Sequence, residues 1–154
     1  MLISHNSSGK RGQSLVELSV SLMVILLLLS GAVDLGMALF SYTTLRDAAQ
    51  EGASYGSMNP SDTNGIRERV RRAGGTGGNS GPVDLTAFTD AQINVFVIGA
   101  AQCQGSTGGV PNGIQVTLTY DYPIVMPLLG TVLGSQTIPL SARVTDTILS
   151  PACP

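Results

Sequence analysis

One long apolar run near the N-terminus dominates the hydrophobic pattern of this chain. Residues 18–33 contain no charged side chain, Asp34 interrupts the run once, and the run continues to Phe40. As a helix, residues 18–40 would be roughly 35 Å long, enough to cross a bilayer core of about 30 Å with some tilt. We therefore predict a membrane-spanning helix here, with Asp34 at the outer interface of the membrane.

The helical pattern continues beyond the apolar run. Residues 41–56 contain no proline, and positions with helical spacing share one face: Leu45, Ala48, Ala49, Gly52 and Gly56. Small side chains at Ala49, Gly52 and Gly56 allow another backbone to approach closely, either a second helix or the chain's own sheet. We expect one continuous helix over residues 13–57, which Asn59-Pro60 ends.

A second, short helix is predicted over residues 64–73. Asp62 or Asn64 would cap its N-terminus, and Ile66 and Val70 would face inward. The glycine-rich residues 74–82 that follow lack the lysine and hydroxyl ending of a phosphate-binding loop, so we interpret them as a linker.

Three segments with the composition of strands follow this linker. Residues 114–122 alternate cleanly between apolar and polar positions, and residues 138–148 alternate again. Residues 92–99 are apolar on both faces, which indicates a central strand. Pro139 makes the start of its strand an edge or a bulge. The apolar residues 126–134 are interpreted as a crossover with one helical turn on the sheet.

These elements predict an α+β fold. The long N-terminal helix continues into a small domain, residues 58–154, with an antiparallel sheet of about three to four strands. The helix is the natural cover for the buried face of the sheet.

Charge and short motifs exclude several functions. A formal net charge of -2 offers no basic stripe for nucleic acid. The cluster of Arg67, Arg69, Arg71 and Arg72 is interpreted as a solvated helix face in preference to a lipid head-group contact. No fingerprint of a cofactor is present.

One short motif resembles a catalytic serine site by letter only. Residues 52–56 match G-x-S-x-G, but a predicted helix precedes Ser54, and the chain's one histidine, His5, lies before the apolar run. Carboxylate pairs among Asp84, Asp90 and Asp121 are interpreted as solvated. We expect no enzymatic activity.

The two cysteines lie beyond the apolar run. If the domain is outside the cytosol, a disulfide between Cys103 and Cys153 is permitted, and two free thiols are the alternative. A metal site is not expected, because the domain has no histidine and the cysteine spacing matches no zinc pattern.

Flanking charges predict the orientation in the membrane. Lys10 and Arg11 precede the run, and only Arg46 lies close beyond it. The positive-inside rule then predicts a cytoplasmic N-terminus and an extracytoplasmic C-terminal domain.

The basic pair, Gly12, and a lone acid at Glu17 before the apolar helix have the form of a type IV prepilin leader. Together with residues 33–36 and 45–53, this string resembles the TadE-like family of tight-adherence (Flp-type) pilus pseudopilins. The resemblance covers roughly the first 55 residues, and the strand-rich remainder adds no motif of its own.

The resemblance implies a structural subunit, a pseudopilin or minor pilin of a type IV-like pilus or secretion apparatus in the inner membrane. Residues 1–12 would be a cytoplasmic leader that a prepilin peptidase removes between Gly12 and Gln13. Glu17 would then be the fifth mature residue, close enough to pair with the new amine within one subunit or between staggered neighbours. Other pilin subunits would be partners through the helix.

Two alternatives remain. The chain is either a binding domain anchored by one plain helix, or a secreted domain whose signal peptide is cleaved after Ser30-Gly31-Ala32.

Overall fold

The structure is a computed structural model, and it describes residues 9–74, 83–99, 101–126, 130–131 and 134–153, with side chains from residue 12 onward. The predicted linker falls almost entirely outside the described residues, as does most of the predicted leader. Most of the apolar segment 126–134 also lies outside them, although residues 130–131 are helical.

The long helix α1 runs from Gly9 to Met58, a span of 50 residues. At a rise of 1.5 Å per residue it is roughly 75 Å long. Its sequence contains no proline, and the backbone N–H of Asn59 closes the last turn on the carbonyl of Tyr55 at 3.0 Å. The helix therefore begins before the predicted residue 13 and ends where Asn59-Pro60 predicts.

The short helix α2 spans Thr63–Arg72, close to its predicted limits. Of the two predicted caps, Asp62 serves, because its carboxylate accepts the backbone N–H of Gly65 at 2.9 Å. The Tyr55 hydroxyl donates to the same carboxylate at 2.9 Å. Both hydrogen bonds favour the charged form of Asp62 and so lower its pKa, the bond from Gly65 contributing most and the bond from Tyr55 less.

Three strands form one antiparallel sheet, with β4 between β1 and β5. The strands are β1, Ile93–Ile98; β4, Gly113–Pro123; and β5, Thr137–Thr147. A short 3₁₀ turn, Leu85–Ala87, precedes β1, and a small hairpin of β2, Ser106–Thr107, and β3, Val110–Pro111, fills the loop between β1 and β4. The predicted fold class, a long helix with a small α+β domain, is confirmed.

The prediction that residues 92–99 form a central strand is wrong, because β1 lies at an edge of the sheet and β4 occupies the centre. The apolar character of its outer face comes from Phe96, which is 63% exposed and has no second layer over it among the residues that the structure describes. Strand β5 is the opposite edge, as Pro139 predicts.

One face of the sheet packs on α1 and α2 to form the core. The predicted alternation of β4 is confirmed, since Ile114, Val116 and Leu118 are fully buried while the residues between them are more exposed. The helices contribute a further buried set: Leu45, Ala48, Ala49, Ala53, Ile66 and Val70.

Two glycines set the closeness of this packing. A Cβ at Gly52 would lie 2.6 Å from Cγ2 of Val70, and a Cβ at Gly56 would lie 2.9 Å from Cγ2 of Ile114. Real Cβ atoms do not approach so closely, so any side chain here forces α2 or β4 away from α1.

We predict that Gly52→Ala destabilises the domain although alanine favours helices. The helix gain is about 1 kcal/mol, whereas overpacking a filled core costs about 1–3 kcal/mol. The thermal unfolding midpoint of the full-length protein in detergent should therefore fall. Gly36→Ala is the matched control, because nothing lies within 4 Å of its added Cβ. An unchanged or raised midpoint for Gly52→Ala would contradict the close packing.

Candidate functional site

The N-terminal half of α1 is bare of protein contacts. Every residue from 12 to 30 is exposed, including Leu15 at 66% and Met23 at 71%. Among the described residues, α1 alone is long and apolar enough to cross a membrane, and only 6% of its most apolar 18-residue window is buried. A core helix of a soluble protein would be mostly buried, so this exposure is compatible with anchoring by a single pass.

One hydroxyl group within this half of α1 is bonded to the helix itself. The Ser19 hydroxyl donates to the Leu15 carbonyl at 2.8 Å. An unpaired hydroxyl in hydrocarbon is costly, and bonding to the carbonyl four residues earlier removes that cost. The side chain of Ser19 is thus compatible with lipid.

The residues of the predicted processing site lie within α1. Gly12 and Gln13 are exposed in its first turns, and a Cβ at Gly12 would meet nothing within 4 Å. Glu17 is exposed one turn beyond Gln13, and none of the side chains described from residue 12 onward bonds to it. Its carboxylate is therefore free to meet a group supplied by cleavage or by a neighbouring molecule.

The small-residue face of α1 serves the chain's own domain. Ala49 is fully buried, Gly52 packs on Val70 and Ile66, and Gly56 packs on Ile114. Of the two partners that the sequence allowed at Ala49, Gly52 and Gly56, the structure therefore uses the chain's own sheet and α2. A second helix could therefore approach α1 closely only along its exposed N-terminal half.

Asp34 has a partner that sequence analysis missed. Its carboxylate is 7% exposed and accepts the backbone N–H of Met126 at 2.8 Å. The two residues are 92 positions apart, and no sequence pattern around either of them predicts the hydrogen bond. The expected place of Asp34 at the membrane interface gains a specific contact, because the segment after β4 reaches this level of α1.

Cys103 and Cys153 are joined by a disulfide, with 5.0 Å between their Cα atoms. Neighbouring backbone bonds hold the same tail. The N–H of Gln104 donates to the carbonyl of Pro151 at 2.7 Å, and the N–H of Leu149 donates to that of Ser57 at 2.8 Å. The C-terminal tail is thereby tied to the end of α1 and to the loop after β1.

Each arginine of the basic cluster on α2 pairs with an acid of the same domain. Asp90 pairs with Arg67 at 3.3 Å and with Arg71, while Glu51 pairs with Arg69 at 3.6 Å. Arg72 pairs with Glu68 at 2.7 Å, one helical turn away. The sequence predicted a solvated helix face here, and the ion pairs are a feature that it did not predict.

The letters of the serine motif do not form a nucleophile elbow. Ser54 lies inside α1, with helix on both sides, where an elbow needs a strand before the serine. Asp84 accepts the N–H of Thr86 as the cap of the 3₁₀ turn, a structural role that also lowers its pKa, chiefly through the bond from the Thr86 hydroxyl. Among the described residues, no cluster of three or more metal-ligating side chains occurs.

These features define a class of protein: a small α+β domain built on the upper half of a helix whose lower half is suited to single-pass membrane anchoring. A family model described as TadE-like protein matches residues 12–54. The predicted resemblance to that family is thus confirmed over residues 12–54. No curated protein and no solved structure matches the chain.

We predict that loss of the disulfide destabilises the domain. Closing a loop with a sequence separation of 50 residues restricts the unfolded chain, and this contributes roughly 2–4 kcal/mol. The double variant Cys103→Ser/Cys153→Ser should therefore unfold at a lower temperature than the oxidised protein. Reductant should lower the midpoint of the unmodified protein and leave that of the double variant unchanged. Equal midpoints for oxidised protein and double variant would contradict a stabilising disulfide.

Proposed function

We propose that this chain is a pseudopilin or minor pilin, a structural subunit of a type IV-like tight-adherence pilus or secretion apparatus. In this proposal a prepilin peptidase removes the leader after Gly12, with the N-terminus in the cytoplasm and the domain outside the inner membrane. Catalysis belongs to the peptidase and the assembly machinery. The chain contributes the helix that enters the assembly.

One observation carries the proposal: a bare apolar half-helix bears Glu17 five residues after Gly12, inside the segment that matches the TadE-like model. A plain anchor needs apolar length alone and gains nothing from an acid at its mouth, where a charge costs free energy unless it is paired or reaches water. An assembly helix uses such a charge to select its register, because an unpaired charge in an apolar bundle is penalised.

The division of α1 supports the same proposal. From Ser41 to Gly56 the helix is committed to the domain, whose core fills its small-residue face. Below this part, the exposed apolar surface is satisfied equally well by lipid chains or by apolar helices of other subunits. Transfer from membrane to assembly then exchanges one apolar environment for another and leaves the domain unchanged.

The mature N-terminus tests the proposal. We expect mass spectrometry of the protein from cells that contain a prepilin peptidase to find Gln13 as the first residue. Expression of the same chain without the peptidase is the control and should retain Met1. Met1 in both strains would instead indicate a plain anchor, and Val33 a secreted domain released by signal peptidase.

The role of Glu17 is tested separately. We predict that Glu17→Ala leaves cleavage and membrane insertion intact, because neither needs a partner for the carboxylate, and that it reduces incorporation into sheared surface material several-fold. Glu51→Ala is the matched control, since Glu51 is an exposed glutamate of the same helix that pairs with Arg69 inside the domain. Normal incorporation of Glu17→Ala would refute the register role.

A further inference from the structure

Strands β4 and β5 form a hairpin whose connection, residues 124–136, begins beside α1 at the level of its membrane-spanning half. Ile114, near the start of β4, packs against Gly56, whereas Met126, beyond its end, bonds to Asp34. Strand β4 thus runs alongside α1 in the opposite direction. Along the helix, Gly56 and Asp34 are roughly 33 Å apart. The end of the hairpin therefore lies far below the rest of the domain.

The length of the apolar run places this end within the bilayer. Residues 18–33 span roughly 24 Å as a helix, whereas the hydrocarbon core is about 30 Å thick. Filling that thickness from Leu18 takes about 20 residues, to about residue 37, and tilt increases the number. Asp34 then lies about one helical turn inside the hydrocarbon boundary, deeper than the outer interface expected from the sequence, and so does the backbone N–H that bonds to it.

The burial of Asp34 fits this depth. A carboxylate exposed to hydrocarbon is costly, and groups at such positions are found paired or turned away from lipid. Here the chain itself covers the carboxylate, because the segment after β4 packs over it and supplies a backbone donor. A Cβ at Gly31, one turn deeper, would lie 3.8 Å from the sulfur of Met126.

The sequence of the hairpin end carries no charge. Residues 122–134 contain no acidic or basic side chain, and Val125 is 78% exposed. On the neighbouring elements, Leu35 of α1 is 64% exposed, and Ile138 at the start of β5 is 38% exposed. Leu35 and Ile138 both line a mostly apolar cavity of about 120 Å³ between α1 and the hairpin, which Ile124 also lines. The apolar surface of the hairpin is thus continuous with that of the membrane-spanning half.

We propose that the end of the β4–β5 hairpin around Val125 enters the leaflet next to the domain and contacts lipid acyl chains. The bilayer thereby holds the domain by two apolar elements, α1 and the hairpin. The inference rests on membrane insertion of α1, which the proposed function also requires, and it is independent of cleavage and of pilus assembly. Asp34 links the two elements at the depth where both meet lipid.

Tryptophan fluorescence tests this contact directly, because the chain contains no tryptophan. The full-length variant Val125→Trp is reconstituted at low protein density in phosphatidylcholine vesicles, with or without bromine on the acyl chains. We expect blue-shifted emission and loss of most of its intensity in brominated vesicles. Val110→Trp is the matched control, an exposed valine in the β2–β3 hairpin at the other end of the sheet, and its emission should be unaffected.

Leu26→Trp, within the exposed half of α1, reports insertion of the helix itself. Quenching at Leu26 and Val125 but not at Val110 supports the inference. Quenching at Leu26 alone overturns it and leaves the anchor, and hence the proposed function, intact. Absence of quenching at Leu26 overturns both. Blue-shifted emission at Val125 that resists brominated lipid also overturns it, since a second protein copy would then cover this surface.

Discussion

The contact between the small-residue face of α1 and the sheet is the constraint on which the rest of the structure depends. Gly52 and Gly56 let α2 and β4 approach the helix backbone more closely than any side chain permits. Because β4 follows the helix at this short distance, its far end arrives beside Asp34. The position of the hairpin is thus a consequence of residues more than two turns away on the helix.

The same helix serves two environments, and its sequence divides accordingly. The upper half presents alanine and glycine to a core made by the chain itself, and its charged residues face outward. The lower half presents large apolar side chains in every direction, and the hydroxyl of Ser19 bonds to the helix backbone. The upper half is therefore a structural element of the domain, whereas the lower half needs an apolar environment that other molecules supply.

Local patterns predicted most of this fold. Proline placement predicted the end of α1, the cap at Asp62 predicted α2, and alternation predicted β4, because each depends on residues close in sequence. The position of β1 at an edge was not predictable, since the choice of neighbours in a sheet is made by tertiary packing and Phe96 imitates a buried residue. The bond from Met126 to Asp34 joins distant residues without a charge pattern, so sequence alone could not reveal it. At the candidate site, spacing singled out Gly12 and Glu17, whereas the partner of the small-residue face required coordinates.

The opposite directions of α1 and β4 have a mechanical consequence. A force that draws the helix along its axis loads the contact between α1 and the sheet in shear, over the whole length from Asp34 to Gly56. Contacts arranged in this way share the load and must slip together, whereas contacts peeled from one end fail one at a time. The disulfide joins the C-terminal tail at Cys153 to the loop at Cys103, at the end of the domain farthest from the β4–β5 hairpin. It thereby resists peeling that begins at the tail. The domain is built to travel with its helix when the helix is pulled.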